Sequence, residues 1–143
     1  MGSGPPCVFC AIAKGEIPSH RIRESPRALA FLDVNPISWG HSLVIPKAHA
    51  ADLTEVTPED WAEVAELARW TALRLRKVLE VTGNNLFVSS GRSAEQSVRH
   101  LHIHVVPRRE GDDLALQEWW EMKVQPTSPD ELSKTAAVLR EKA

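Results

Sequence analysis

The stretch His100-Leu101-His102-Ile103-His104-Val105-Val106-Pro107 constrains the fold more than any other. Histidine stands at every second position from His100 to His104, and three of the chain's six histidines fall here. Large apolar residues fill the positions between them. In a strand, successive side chains point to opposite faces. His100, His102 and His104 then share one face, and Leu101, Ile103 and Val105 the other. A helix would scatter the imidazoles around its circumference, and the β-branched Ile and Val favour a strand. Pro107 is expected to end the ladder.

The remaining segments supply what that strand needs to pack against. Ala28 to Val34 is a near-continuous apolar run that reads as a buried strand ending in an acid, Asp33. His41 to Ile45 reads as another strand, and Asn85 to Ser89 as a further one. Thr57-Pro58-Glu59-Asp60 is a helix start, with an N-cap hydroxyl, proline at the first helical position and acids in the first turn. Trp61, Val64, Ala65, Ala68, Ala72, Leu75 and Leu79 follow at helical spacing, and Gly83 is expected to close the helix. This is a core stripe. Val8, Phe9, Ile12 and Ala13 can line a short helix ended by Gly15 and Pro18. Ser128-Pro129-Asp130-Glu131 forms a capping box that starts a C-terminal helix through Leu139. The order helix, strands, helix, strands, tail helix predicts an α+β fold, a mainly antiparallel sheet with the long helix on one face.

A chain of 143 residues suffices for one domain with a closed core. Residues 1–6 are expected to be a disordered lead-in and 7–111 the domain. Residues 112–143 form a C-terminal segment, packed on the same domain or across a dimer. The net charge of −2, with both signs mixed along the chain, gives no reason to expect nucleic-acid or membrane binding. Arg92, Arg99, Arg108 and Arg109 lie near the histidines, as either a solvated rim or a phosphate-attracting one. No apolar run reaches bilayer length, and the start of the chain has no apolar core of a signal peptide. Two cysteines placed together, Cys7 and Cys10, are no secreted disulfide framework, and the expected compartment is the cytoplasm.

Three alternating histidines admit different chemistries. A site using all three as metal ligands is disfavoured, since a strand rise of about 3.3 Å per residue separates His100 from His104 by roughly 13 Å. Nucleophilic catalysis fits better. Neutral imidazole attacks phosphorus when one nitrogen holds its proton in a fixed hydrogen bond and the other keeps a free lone pair. Flanking histidines can donate to phosphate oxygens. A chance histidine-rich face is the remaining alternative.

The run Gln96 to Arg108, with its His-x-His-x-His core, resembles the signature of the histidine triad (HIT) superfamily, in its Hint- and Fhit-like hydrolase branch. Three further blocks are similar to that family in order: Cys7 through Pro18, Ala30 through Pro36, and Gly40 through His49. The resemblance covers about Cys7 to Arg109. It implies a HIT-like fold and a nucleotide hydrolase or transferase. Such an enzyme cleaves nucleoside 5′-phosphoramidates or related conjugates, of a purine above all, at the α-phosphate through a nucleotidyl-histidine.

His102 would be the nucleophile, His104 would contact the phosphate, and Ser97 would sit near the phosphate or leaving group. Asp33 would take the ribose hydroxyls, and Phe9, Ile12, Phe31 and Val34 would form the base slot, though all four apolar residues read equally well as plain core. Ser89 and Gln96 complete the expected nucleotide contacts. The resemblance also implies a homodimer, in which Trp119 and Trp120 are covered by a second subunit; packing within one chain is the alternative.

Cys7, Cys10, His49 and His100 resemble a structural zinc set found in some bacterial relatives, with no cofactor required for the chemistry itself. The other reading is two buried thiols, with His49 and His100 sharing a hydrogen bond. His20 and His41 have no assigned role. The chain departs from the family at Ser89, where Asn is usual, and at Glu95, where Gly is frequent. A dinucleoside polyphosphate hydrolase, a weakly catalytic nucleotide-binding or sensing module, and a zinc-binding structural protein remain the rivals.

Overall fold

The computed structural model describes residues 6–141, so apart from Pro6 the expected lead-in lies outside the described residues. The chain divides into two compact units, one up to Asp112 and one from Asp113 onward.

The first unit contains α1 (Val8–Ala13), β1 (Arg21–Glu24), β2 (Ala28–Leu32), β3 (Ser42–Pro46), α2 (Pro58–Leu79), β4 (Gly83–Val88) and β5 (Ile103–Arg108). The strands form one antiparallel sheet in the order β1-β2-β3-β5-β4. This is the expected α+β architecture. The continuous apolar runs of β2 and β3 follow from burial on both faces. Ala28, Ala30 and Val44 face α2, packing with Val64, Leu67, Ala68 and Leu75. The alternate residues Leu29, Phe31, Leu43 and Ile45 pack with Phe9 and Ile12 of α1. Small alanines beneath α2 let its backbone approach the sheet.

Helix α2 begins as its sequence dictates. The Thr57 hydroxyl accepts from the Asp60 N–H at 3.1 Å, and Pro58 takes the first position. Its end differs from expectation. The helix stops at Leu79 and Glu80 takes the left-handed cap at φ 55°, while Gly83 already belongs to β4. Strand β4 therefore starts two residues earlier than the apolar run from Asn85 suggests.

The histidine strand is the main correction. β5 covers only Ile103–Arg108, so His100, Leu101 and His102 lie outside the ladder and Pro107 lies within it. The backbone partners explain both. β3 pairs with β5 only from Val44↔Ile103 to Ser42↔Val105. Upstream of it, the Leu101 N–H bonds the Ala50 carbonyl at 2.7 Å and the His100 carbonyl takes a side chain, so these two groups are withdrawn from a ladder. Pro107 sits past the end of β3, where a missing N–H breaks no bond, and its carbonyl accepts the Ser38 hydroxyl at 2.8 Å.

In the second unit, α3 (Leu116–Met122) carries Trp119 and Trp120, both exposed. α4 (Pro129–Arg140) starts at the expected cap, with the Ser128 hydroxyl accepting from the Glu131 N–H at 3.2 Å. No helix among the described residues is long and apolar enough to cross a membrane.

Gly40 holds the loop before β3 at φ +97°, and an added Cβ would sit 2.9 Å from Leu79 Cδ1, 3.0 Å from Leu75 Cδ2 and 3.3 Å from Pro107 Cγ. Gly40→Ala should destabilise the fold by about 1–3 kcal/mol through backbone strain and overpacking. Urea unfolding measures this as a lowered midpoint at unchanged slope, and an unshifted midpoint would contradict the packing described.

Candidate active site and metal centre

On the α1 side of the sheet lies a cleft of about 380 Å³. Its lining includes most of the expected nucleotide residues: Phe9, Ile12, Phe31, Asp33 and Val34, together with Ser97, His102 and His104. Phe9, Ile12 and Phe31 are at once core and wall, since each is buried and Phe9 meets Phe31 edge-to-face at 5.7 Å. Val34 sits exposed at the rim. Ser89 and Gln96 are not among the lining residues. The Gln96 amide instead staples the loop: its oxygen accepts from the Gly91 N–H at 2.8 Å, and its nitrogen donates to the carbonyls of Ala51 at 2.6 Å and Val98 at 2.8 Å. Ser89 lies half-buried just past β4.

His102 is buried at the cleft, and its Nδ1 lies 2.8 Å from the main-chain carbonyl of His100. A carbonyl only accepts, so Nδ1 holds the proton. Nε2 is left with a free lone pair, as an imidazole nucleophile requires. The His104 ring lies 5.0 Å from that of His102.

His41, to which the sequence assigned nothing, proves to belong to the site. Its Nδ1 accepts the Ile37 backbone N–H at 3.2 Å, so its proton sits on Nε2. Nε2 faces His104 Nδ1 at 2.9 Å and Asp33 Oδ2 at 3.5 Å. His104 Nδ1 must then accept, which puts the His104 proton on Nε2 and makes that nitrogen a donor. A signal for His41 existed in the sequence. An apolar strand ending at Asp33 and another starting after His41 place the two side by side once they pair, and the Asp33 N–H does bond the His41 carbonyl at 3.0 Å.

Of the four arginines, two are already occupied. Arg108 bridges Asp112 and Asn85, and the Arg109 guanidinium lies 5.3 Å over the Trp39 ring. Arg92 and Arg99 are exposed.

Cys7, Cys10, His49 and His100 converge, with one ligand atom from each within 4.8 Å of the others. Cys7 Sγ lies 3.3 Å from His100 Nδ1, and Cys10 Sγ lies 3.3 Å from His49 Nδ1 and 3.5 Å from His100 Nδ1. A zinc ion at about 2.3 Å from sulfur and about 2.0 Å from nitrogen sets sulfur–nitrogen edges of roughly 3.5 Å in a tetrahedron, so the donors fit that ion. The outer nitrogen of His100, Nε2, donates to the Pro46 carbonyl at 2.7 Å, which turns the Nδ1 lone pair inward. Asp33, His41 and His104 also lie within 4.8 Å of one another. There the tautomer is wrong for a metal, because a backbone N–H occupies the outer nitrogen of His41 and leaves the proton on the inner one.

Burial, the Cys7 sulfur beside it and the Cys7 charge push the Cys10 thiol up to about 11, so a cation must displace its proton. Burial lowers His41 against the opposing pull of Asp33. Burial, then His102 and His41, lower His104 to about 4.

The HIT domain profile matches residues 14–111. The adenosine 5′-monophosphoramidase of Schizosaccharomyces pombe is 37% identical over 88% of this chain and 90% of its own length. A crystal structure described as a Zn-bound histidine triad family protein from Mycobacterium smegmatis is 46% identical, covers 77% of this chain and 80% of its own, and superposes with a TM-score of 0.74. A HIT family member from Bacillus subtilis covers 97% of this chain and 99% of its own at 32% identity, with a TM-score of 0.82. The chain therefore belongs to the histidine triad family.

His104 and His41 are held neutral below their ordinary value, so the native protein binds fewer protons than the unfolded chain as pH falls. The associated stability is complete above about pH 6.5 and is lost as pH falls toward about 4. Hydrogen bonds from Lys47, Thr54 and Ser25 hold Glu24, Asp52 and Glu63 below their ordinary values, so their share is lost only on acidification through the carboxylate range. Melting temperature should accordingly decline between pH 6.5 and 5, and His104→Gln should flatten that slope. An equal slope in both proteins would contradict the neutral assignment.

Proposed function

We propose that this chain is a nucleotide hydrolase that cleaves nucleoside 5′-phosphoramidates or related conjugates at the α-phosphate. The observation that carries this reading is the His102 Nδ1–His100 carbonyl bond, which leaves a nucleophilic nitrogen free beside an apolar cleft. The monophosphoramidase name of the fission-yeast relative supports the substrate class.

In this reading the base enters between Phe9, Ile12, Phe31 and Val34, and the Asp33 carboxylate takes the ribose hydroxyls. Asp33 Oδ1 already accepts the Asn35 N–H at 2.8 Å, which orients the carboxylate at the rim. His102 Nε2 attacks the α-phosphorus and forms a P–N bond while the bond to the leaving amine breaks. The Ser97 hydroxyl, exposed on the wall, relays a proton from solvent to the leaving amine, which departs protonated. The His104 Nε2 proton bonds a phosphate oxygen and offsets the charge that builds there. Water then attacks phosphorus and releases a proton to solvent, the P–N bond to His102 breaks with its electron pair returning to Nε2, and the nucleoside monophosphate leaves. The His102 Nδ1–H keeps its proton throughout, donating to the His100 carbonyl.

Cys7, Cys10, His49 and His100 hold a structural zinc in this reading, and the zinc-bound mycobacterial structure supports it. When bound, the ion would tie Cys7 and Cys10 at the start of α1 to His49 and His100, as a structural link and not as a reactant. The chain acts in the cytoplasm as a homodimer. Exposed Leu86, Phe87 and Val88 on the edge strand β4, and exposed Trp119 and Trp120, are the surfaces that support a second subunit.

One observation favours a weakly catalytic binding module instead. Glu95 holds a left-handed backbone at φ 61° in the loop that leads to the histidines, a conformation that suits glycine.

Brief mixing with adenosine phosphoramidate followed by intact-mass measurement, with acid avoided, decides between them. The wild type should carry a transient adenylyl adduct. His102→Ala should carry none, lose turnover by about a thousandfold or more, and keep AMP binding. Normal turnover in that variant excludes the mechanism. Binding without adduct or released AMP favours the module.

A further inference from the structure

We propose that metal occupancy of the Cys7–Cys10–His49–His100 set controls nucleotide binding in the neighbouring cleft. The inference rests on the zinc and nucleotide readings above and concerns the link between them. Two separate routes join the sites.

The first runs through α1. This helix has six residues, too few to hold its shape alone. Cys7 caps it, its sulfur accepting from the Cys10 N–H at 3.3 Å, and both cysteines belong to the metal set. The same short helix presents Phe9 and Ile12 to the cleft. A metal on Cys7 and Cys10 therefore fixes the wall against which the base packs. The remaining restraints are the packing beneath it and the Arg21 guanidinium on the Ile12 carbonyl at 2.6 Å.

The second runs through His100. Its ring is part of the metal set, and its main-chain carbonyl accepts from His102 Nδ1–H, 2.8 Å from Nδ1 to oxygen. Both residues lie in irregular backbone upstream of β5, where no ladder fixes them. A ligand bond on the His100 ring thus steadies the acceptor that sets the His102 tautomer. Phe9 ties the routes together, its ring meeting His100 at 5.9 Å and His102 at 5.3 Å, both edge-to-face. His49 is the exposed ligand of the set, so an ion can leave or enter from that side while the sheet stays folded.

Coupling of this kind is reciprocal: if metal tightens AMP binding, AMP tightens metal binding by the same factor. The full chain, zinc-loaded and after chelation, is titrated with AMP by calorimetry, and zinc affinity is measured by chelator competition with and without AMP. Amide hydrogen exchange and the ¹⁵N shifts of His102 are recorded in both forms without nucleotide.

Chelation should weaken AMP binding by about tenfold, within the usual range of such coupling. AMP should raise zinc affinity equally. Amides of α1 and of residues 98–102 should exchange faster while sheet amides stay protected, and the His102 ring should lose its single-tautomer signature. His49→Ala leaves α1 intact and should behave as the chelated protein at zinc levels that saturate the wild type.

Equal AMP affinity with unchanged exchange overturns the proposal, as does failure to retain zinc. Melting of the whole sheet on chelation also overturns it, by making the ion a plain staple. A zinc-loaded protein that does not bind AMP overturns the nucleotide reading itself. Equal binding in both forms refutes only the link.

Discussion

The His100 carbonyl accepts the His102 Nδ1 proton, and the site depends on that one bond. His100 is fully buried, so each of its polar atoms must find a partner. Nε2 takes the Pro46 carbonyl, Nδ1 faces the thiols of Cys7 and Cys10, and the main-chain oxygen takes His102. One residue therefore carries a metal-ready nitrogen on its side chain and the tautomer lock of the neighbouring imidazole on its backbone. The carbonyl is free for this because His100 lies upstream of β5, outside the ladder.

His100 and His41, of one chemical type, are differentiated by what their second nitrogen meets. At His100 the outer nitrogen donates to a carbonyl, and the inner lone pair is free for a cation. At His41 the outer nitrogen accepts from the Ile37 N–H, and the inner nitrogen is a donor. The two clusters have similar dimensions, yet one suits a metal and the other a hydrogen-bond relay from Ile37 through His41 to His104. The partner on the far side of each ring decides its chemistry. Burial adds to this by holding His41 and His104 neutral, so that the relay works through N–H donation and not through charge.

What the sequence made legible follows the same division. Local rules were readable: the caps at Thr57 and Ser128, the α2 stripe, and the doubly buried runs of β2 and β3, because short-range geometry and apolar burial write them directly. The alternation around His104 was readable too, since Ile103 and Val105 do enter the α2 core. The end of α2 was not, because a glutamate took the left-handed cap in place of the glycine three residues on. The break of the strand before Ile103 was hidden for a different reason. It depends on where β3 stops and on Ala50 claiming the Leu101 N–H, and both are long-range facts. The stapling role of Gln96 was invisible for the same cause, since its partner Ala51 is remote in the chain, and of His41 only the place beside Asp33 was readable, not the bond to His104.

The apolar cleft is best understood as a core left open. On the α2 side, the alanines of β2 pack directly against Val64, Leu67 and Ala68 of the helix stripe. On the opposite side, Phe9, Ile12 and Phe31 are more than nine-tenths buried and still line the cleft. A planar apolar ligand inserted there completes the packing that a longer helix would otherwise supply. Burial of apolar surface is worth about 25 cal/mol per Å², so a ring system covering roughly 100 Å² of such wall gains on the order of 2–3 kcal/mol before any polar contact forms. That affinity needs no charge, consistent with a slot whose polar groups, Asp33, Ser97, His102 and His104, sit where sugar and phosphate chemistry would take place. The short α1 is what keeps the core open, and its weak intrinsic stability is why its anchorage at Cys7 and Cys10 matters to the cleft and not only to the fold.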